Sequence, residues 1–395
     1  MAIPSESRAR IAPAEGDSAS AGARPKLGAL TSLRFAAAAL IVVHHTHAEF
    51  GFGGWLDQTA ALDQAVGFFF ILSGFILAYA HPSLEESRGG TLRFLRARFA
   101  RIYPLHLATF LLVFLLLPDA WRTQGGPPTL ATALANLTLV QSWIPDGRYY
   151  FSYNGPSWSI STEATFYLLF PLLIYAWRRT WPWKLALSIA PLIAIVAFVN
   201  HEDDFALAIL PYIHPLARLF EFTLGMTAAL VWRALARRPR MGRAVATCLE
   251  LALVALAAWV MLRSNHWLSE LHRNPLVGLG GKVWLVHGGM ACLPFAALVV
   301  AMALRAGLVS RALETRALVL LGEVSFAVYL LHHILLRAYQ AYRPALPVLP
   351  PLAAYLAFLA TLLVTSYLAW RLIERPCRRL LRGEEARPEL ALARS

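Results

Sequence analysis

The sequence predicts an all-α fold: a polytopic membrane helix bundle of about ten transmembrane helices, with N- and C-termini cytoplasmic. Three observations predict it. Hydrophobic residues make up 58% of the 395 and charged residues only 15%, with a mean hydropathy of +0.53. The apolar residues come in runs too long for a soluble core. With ten spans and an internal N-terminus, the great majority of Lys and Arg fall in cytoplasmic segments, the positive-inside pattern. The net charge of +13 therefore records topology and argues against nucleic-acid binding. No stretch outside the apolar runs is long enough for a soluble domain. Cys248, Cys292 and Cys377 are odd in number and scattered, without disulfide or metal spacing.

Residues 1–26, rich in Ala, Ser, Pro, Gly and Arg, read as a disordered cytoplasmic tail. Residues 27–380 form the membrane domain and 381–395 a second cytoplasmic tail. The first span, Thr31–Phe50, carries Arg34 near its start and His44, His45 and His47 near its end. The run leads to HHTH and not to a small-residue cleavage site, so it reads as an uncleaved span and not a signal peptide. On a helix, Arg34 and His45 lie about three turns and 16 Å apart on one stripe. His44 is rotated from that stripe by about 80° and His47 by about 140°. Intramembrane ionisable groups face a protein interior or a wet cavity as a rule. The plain alternative is a snorkelling arginine and a polar helix end.

The second span, Ala65–Ala80, holds Ser73-Gly74, small enough to let a neighbouring backbone approach. A basic loop follows with Arg93, Arg96, Arg98 and Arg101. Most of these suit a positive-inside anchor. Arg98 and Arg101, three apart, project to one side of a helical turn and offer planar donors to phosphate oxygens. The third span covers about Leu105–Leu117. Residues 119–156 are too polar and broken to span and read as an interfacial or re-entrant piece. Asn154-Gly155-Pro156 then starts the fourth span, on which Ser159, Glu163 and Tyr167 recur at i, i+4 and i+8. Glu163 lies about two turns in, where an unpaired carboxylate is costly, and a structural bond to a neighbouring helix is its bland explanation.

Further spans are expected over 185–200, 208–232, 244–262, 282–304, 316–336 and 351–373. Arg218 and Glu221 read as a mutually neutralising pair, and His332 and His333 fall near the outer half of the ninth span. The last span ends in a basic cap, WRLIERPCRRLLR. HEDD at 201–204 reads as a solvated loop. There is no P-loop, HExxH, nucleophile elbow or internal repeat, and no metal site is expected.

In order, LRFAAAALIVVHH, GFFFILSGF, RARFARIYPLH, GPSWSISTEATFYLLFP, RLFEFTLGM, LGEVSFAVYLLHH and LIERP resemble the integral-membrane acyltransferase 3 family across nearly all of 28–380. The resemblance implies a multi-pass O-acyltransferase of the bacterial cytoplasmic (inner) membrane. Its donor would be acyl-CoA, acetyl-CoA by family analogy, with no permanently bound cofactor. Its acceptor would be a hydroxyl of a glycan such as exopolysaccharide, O-antigen or a lipid-linked sugar. The family's first-span Arg and His map onto Arg34 and His45, its RxxR onto Arg98 and Arg101, and its Trp-Ser motif and acid onto Trp158, Ser159 and Glu163. Ala164 stands where many members have a second acid, and Leu331 where many have Trp. No hydrolase-like domain follows residue 380, so a two-domain relay is not expected.

His45 is thus expected to act as general base, since histidine's ordinary pKa of about 6.5 suits it to take a hydroxyl proton near neutrality. Glu163 would orient it or stabilise its imidazolium. Arg34, Arg98 and Arg101 would bind the donor's phosphates. Ser73, Trp158, Ser159, Tyr167 and His332 would support the substrate pocket. A variant has His45 itself acylated. A proton-coupled transporter or flippase is the alternative from another class, since intramembrane Arg, His and Glu suit it equally. The spans show no inverted repeat and no Gly/Pro-interrupted pairs, which counts against it. A sensor or scaffold that has lost the reaction is a third reading.

Overall fold

The computed structural model of the chain describes residues 27–53, 60–82, 84, 89–123, 127–202, 205–267, 269, 271, 274 and 277–382. The expected tails, except for residues 381 and 382, and Asp203 and Asp204 of HEDD lie outside them. Among the described residues all regular structure is helical. The long helices are α1 (Gly28–Phe50), α2 (Ala65–Ala80) and α3 (Gly90–Leu116), then after the short α4 (Leu130–Leu137) come α5 (Trp158–Ile174) and α6 (Trp177–His201). They continue as α7 (Leu219–Ala236), α8 (Arg243–Trp267), α9 (Gly278–His287), α10 (Cys292–Leu304), α11 (Arg316–Tyr342), α12 (Pro351–Ala369) and the basic α13 (Arg375–Arg382). Among the described residues eight helices are long and apolar enough to cross a membrane, or nine if the bent pair α9–α10 counts as one span. The fourth expected span, α5, has 17 residues, short of the roughly 20 that cross a bilayer untilted.

Helix α2 is the buried centre of the bundle and α6 and α12 lie at its lipid-facing rim: 83% of the second span's apolar window is buried against 17% for each of theirs. Backbone contact holds α2 to α7. A Cβ on Gly74 would stand 2.0 Å from the Phe222 carbonyl oxygen, and one on Gly225 only 1.9 Å from that of Ile71. Two helices can approach this closely only through glycine. Gly322 of α11 meets the Thr31 carbonyl of α1 in the same way, at 2.0 Å. Ser73 does not share Gly74's role, because its hydroxyl turns toward α5.

Two expectations change at the level of elements. The basic stretch before Pro104 is no loop: α3 runs unbroken through Pro104, so Arg98 and Arg101 ride on the spanning helix itself. The eighth expected span is broken, with α9 and α10 bent by 53° around Gly288. The break falls at Gly288, where a Cβ would lie 2.2 Å from Nη1 of Arg218, so only glycine fits there. Arg218 pairs with Glu221 as expected, Nε to Oε1 at 3.2 Å with both side chains fully buried. Its guanidinium lies between the rings of Phe70 and Tyr212, 5.4 and 5.3 Å from their centroids.

Residues 127–157 fold back onto the bundle and bury their polar groups in pairs. Asn136 donates to Ser152, Gln141 to Ser157 and Ser142 to the Trp158 carbonyl. Asn154 Nδ2 donates to the Leu330 carbonyl at 2.9 Å and Arg337 to that of Tyr153 at 3.1 Å, which fixes the start of α5 against α11. Pairing backbone carbonyls with side-chain donors in this way is what allows irregular backbone beside apolar helices.

Candidate active site

Two chambers lie along α1. The first, about 120 Å³, is lined by Arg34 of α1, Ser73 of α2, Arg98 and Arg101 of α3, Ser159, Glu163 and Tyr167 of α5, and Ser325 and Tyr329 of α11. The spacing Ser159, Glu163, Tyr167 does present one helical face to it. Glu163 Oε1 accepts hydrogen bonds from Tyr167 and, at 3.3 Å, from Ser73. Arg101 is committed to Glu374, a carboxylate only 1% exposed in the π-helical turn Trp370–Glu374 between α12 and α13. Arg98 lies beside the rings of Phe94 and Tyr167. Three guanidinium groups and the Glu163 carboxylate thus line this chamber, with Arg101 paired to Glu374 at its edge.

The second chamber, about 310 Å³, is lined by His44, His45, Asp63, Tyr212, His287 and His333 among polar groups, with Phe151, Trp158 and Tyr329 as aromatic walls. His45 Nδ1 donates to the Ile41 carbonyl at 2.9 Å and lies 3.3 Å from Nε2 of His332. His332 in turn directs Nδ1 at the Val328 carbonyl, 3.3 Å away, so its Nε2 is an acceptor toward His45. Both contacts place the His45 proton on Nδ1 and its lone pair on Nε2.

Val66 and Tyr329 line both chambers and form the wall between them. The Tyr329 hydroxyl is fixed there by Ser159 Oγ at 2.9 Å and the Pro156 carbonyl at 3.3 Å.

This geometry sorts the expected residues. Arg34, Arg98, Arg101, Ser73, Ser159, Glu163 and Tyr167 come together in the first chamber, His45 and Trp158 in the second. His332 is fully buried behind His45, while its neighbour His333 reaches the chamber wall. The pairing of Glu163 with His45 needs correction. Glu163 bonds to Ser73 and Tyr167 among the arginines, on the far side of Tyr329 from the imidazole. Helix α5 carries the carboxylate into the arginine-lined cavity, while the imidazole lines the other. His44, placed off the stripe by the helical wheel, also lines the second chamber.

Asp63, His287 and Tyr329 escaped the sequence reading. Asp63 and His287 each stand at the end of an apolar run, which was the available signal. Their partnership, Asp63 Oδ2 accepting from His287 Nδ1, joins residues 224 apart. Among the described residues no group of three or more His, Cys, Asp or Glu side chains is arranged to hold a metal ion.

A family model described as an acyltransferase domain, that of acyltransferase 3, matches residues 27–370. Acyltransferase MdmB of Streptomyces mycarofaciens is 33% identical over 342 residues, 79% of this chain and 79% of that protein. O-acetyltransferase OatA of Staphylococcus aureus is 24% identical over 328 residues, 78% of this chain but 50% of OatA, so the chain spans half the length of that relative. Protein 2 in picA locus of Rhizobium radiobacter is 42% identical over 146 residues, 32% of this chain and 71% of that protein. No solved structure matches the chain.

Proposed function

The chain belongs to the acyltransferase 3 family and is an O-acyltransferase, and from that premise we propose that it moves an acyl group, acetyl by default, from cytoplasmic acyl-CoA to a glycan hydroxyl. In this proposal the protein lies in the bacterial inner membrane with ten spans, α5 among them, and both termini in the cytoplasm. The acceptor is an exopolysaccharide, an O-antigen or a lipid-linked sugar. The single observation that carries the proposal is the pair of chambers, one cationic and one histidine-lined, meeting at Tyr329.

Acyl-CoA is polyanionic at one end and reactive at the other. Arg34, Arg98 and Arg101 bind its phosphates, and Glu163, held by Ser73 and Tyr167, offsets part of their mutual repulsion. The thioester reaches the histidine chamber past Tyr329. There His45 Nε2 takes the proton of the acceptor hydroxyl as its oxygen attacks the thioester carbonyl. The tetrahedral intermediate collapses, the C–S bond breaks, and the imidazolium returns its proton to the departing CoA sulfur. His332 and the Ile41 carbonyl keep the ring in the tautomer this requires, the task first expected of Glu163.

Mass spectrometry of surface glycans from cells with and without the protein tests the proposal. The expected result is an acyl ester present only with the protein. Purified protein that consumes no acyl-CoA with envelope glycan present would instead favour transport.

A further inference from the structure

Besides His45 the histidine chamber is lined by His44, His287 and His333, and of these His287 has a carboxylate of its own. His287 ends α9 at the break before Gly288, and its Nδ1–H is taken by Asp63 at the entry to α2. The next residue, Gln64, donates to the Val286 carbonyl at 2.7 Å, satisfying backbone that the break would otherwise strand. A carboxylate is therefore not needed to close the broken helix end, because the neighbouring amide already does so. Burying Asp63 at 9% side-chain exposure is expensive in an apolar bundle without a compensating role. The His287 side chain is 32% exposed and lines the same cavity as His45. Its ring lies 5.2 Å from that of Tyr212, which lies 4.7 Å from Trp158, so one wall combines aromatic faces with a polar edge. A carboxylate bound at Nδ1 fixes the lone pair on Nε2 and raises its strength as a hydrogen-bond acceptor.

We propose that Asp63 and His287 form an acceptor-binding pair, in which His287 Nε2 accepts a hydrogen bond from a hydroxyl other than the one acylated. The occupant is accordingly a polyhydroxylated ring, its apolar face against Trp158 and Tyr212. His45 and His287 then grip two hydroxyls of one sugar. This rests on the transfer reaction proposed above and adds which part of the cavity recognises the acceptor.

The test uses the full chain purified in detergent micelles, where both faces are open to solvent, with radiolabelled acetyl-CoA and envelope glycan extracted from cells lacking the protein. Absence of label in glycan with the wild type would refute the transfer reaction itself, independently of the pair. With transfer established, His287→Gln and Asp63→Asn are each expected to raise the glycan concentration for half-maximal transfer about ten- to a hundredfold. The rate at saturating glycan, the half-saturating acetyl-CoA concentration and the thermal unfolding temperature should stay near wild type. Asp63→Glu should restore part of the glycan affinity. Unchanged glycan dependence in both variants would overturn the proposal. So would loss of maximal rate or of folded protein in both without a shift in glycan dependence, which would make the pair a structural tie.

Discussion

In the proposed reaction the His45 ring is oriented by neighbours that differ in kind. The Ile41 carbonyl is a local contact one turn back on α1, and His332 arrives from α11. His45→Ala is expected to lower acyl transfer about 10²- to 10⁴-fold, the usual range for a positioned base, read as label entering glycan at equal membrane protein. Full activity in that variant would remove His45 from the reaction. The two arginines of the RxxR pair separate by partner. Arg98 lies beside the rings of Phe94 and Tyr167, and Arg98→Ala should raise the acyl-CoA concentration for half-maximal rate about tenfold. Arg101→Ala strips Glu374 of its main cation inside the bundle and should cost about 3–5 kcal/mol of stability as well, measured by thermal or denaturant unfolding in detergent. Wild-type stability of Arg101→Ala would show that its pair with Glu374 does not hold the bundle. Arg34, His45, Arg98, Arg101 and Glu163 were legible as residues because charged groups stand out in apolar runs. Their grouping was legible only where one helix sets it, as for Ser159, Glu163 and Tyr167.

At the scale of elements, the bundle is organised by places where backbones touch. Gly225→Ala puts a methyl group 1.9 Å from the Ile71 carbonyl, and neither backbone can yield without moving its helix. The expected outcome is a loss of about 1–3 kcal/mol or more, seen as a lower unfolding temperature and less folded protein in the membrane. Wild-type stability in that variant would show that α2 and α7 pack more loosely than their carbonyl contact implies. The break between α9 and α10 follows similar logic. Residues 282–304 read as one apolar run, because hydropathy does not register an arginine pressing on Gly288 from another helix. The basic stretch expected as a loop is the opposite case: α3 runs on through Pro104 in its interior, so the arginines before it belong to the helix.

Across the whole molecule, the two chambers share Val66 and Tyr329 as lining, and the proposed reaction needs the thioester to pass them. Tyr329→Ala removes the aromatic part of the shared wall and leaves Val66, and its expected effect is faster acyl-CoA hydrolysis without acceptor, measured as free thiol released by purified protein. An unchanged rate would mean that donor and water meet by another route. The helical class, the apolar spans and the family motifs were determined by the sequence alone, since each depends on composition or on spacing along one strand of chain. Which chamber each polar side chain enters was decided only by the tertiary structure. A rotation of α5 sends Glu163 to the arginines and not to His45, and a broken helix brings His287 to Asp63. The physical reason is that burying a charge is costly wherever it occurs, so the sequence reveals that a partner must exist. The choice of partner follows from how helices far apart in the chain pack.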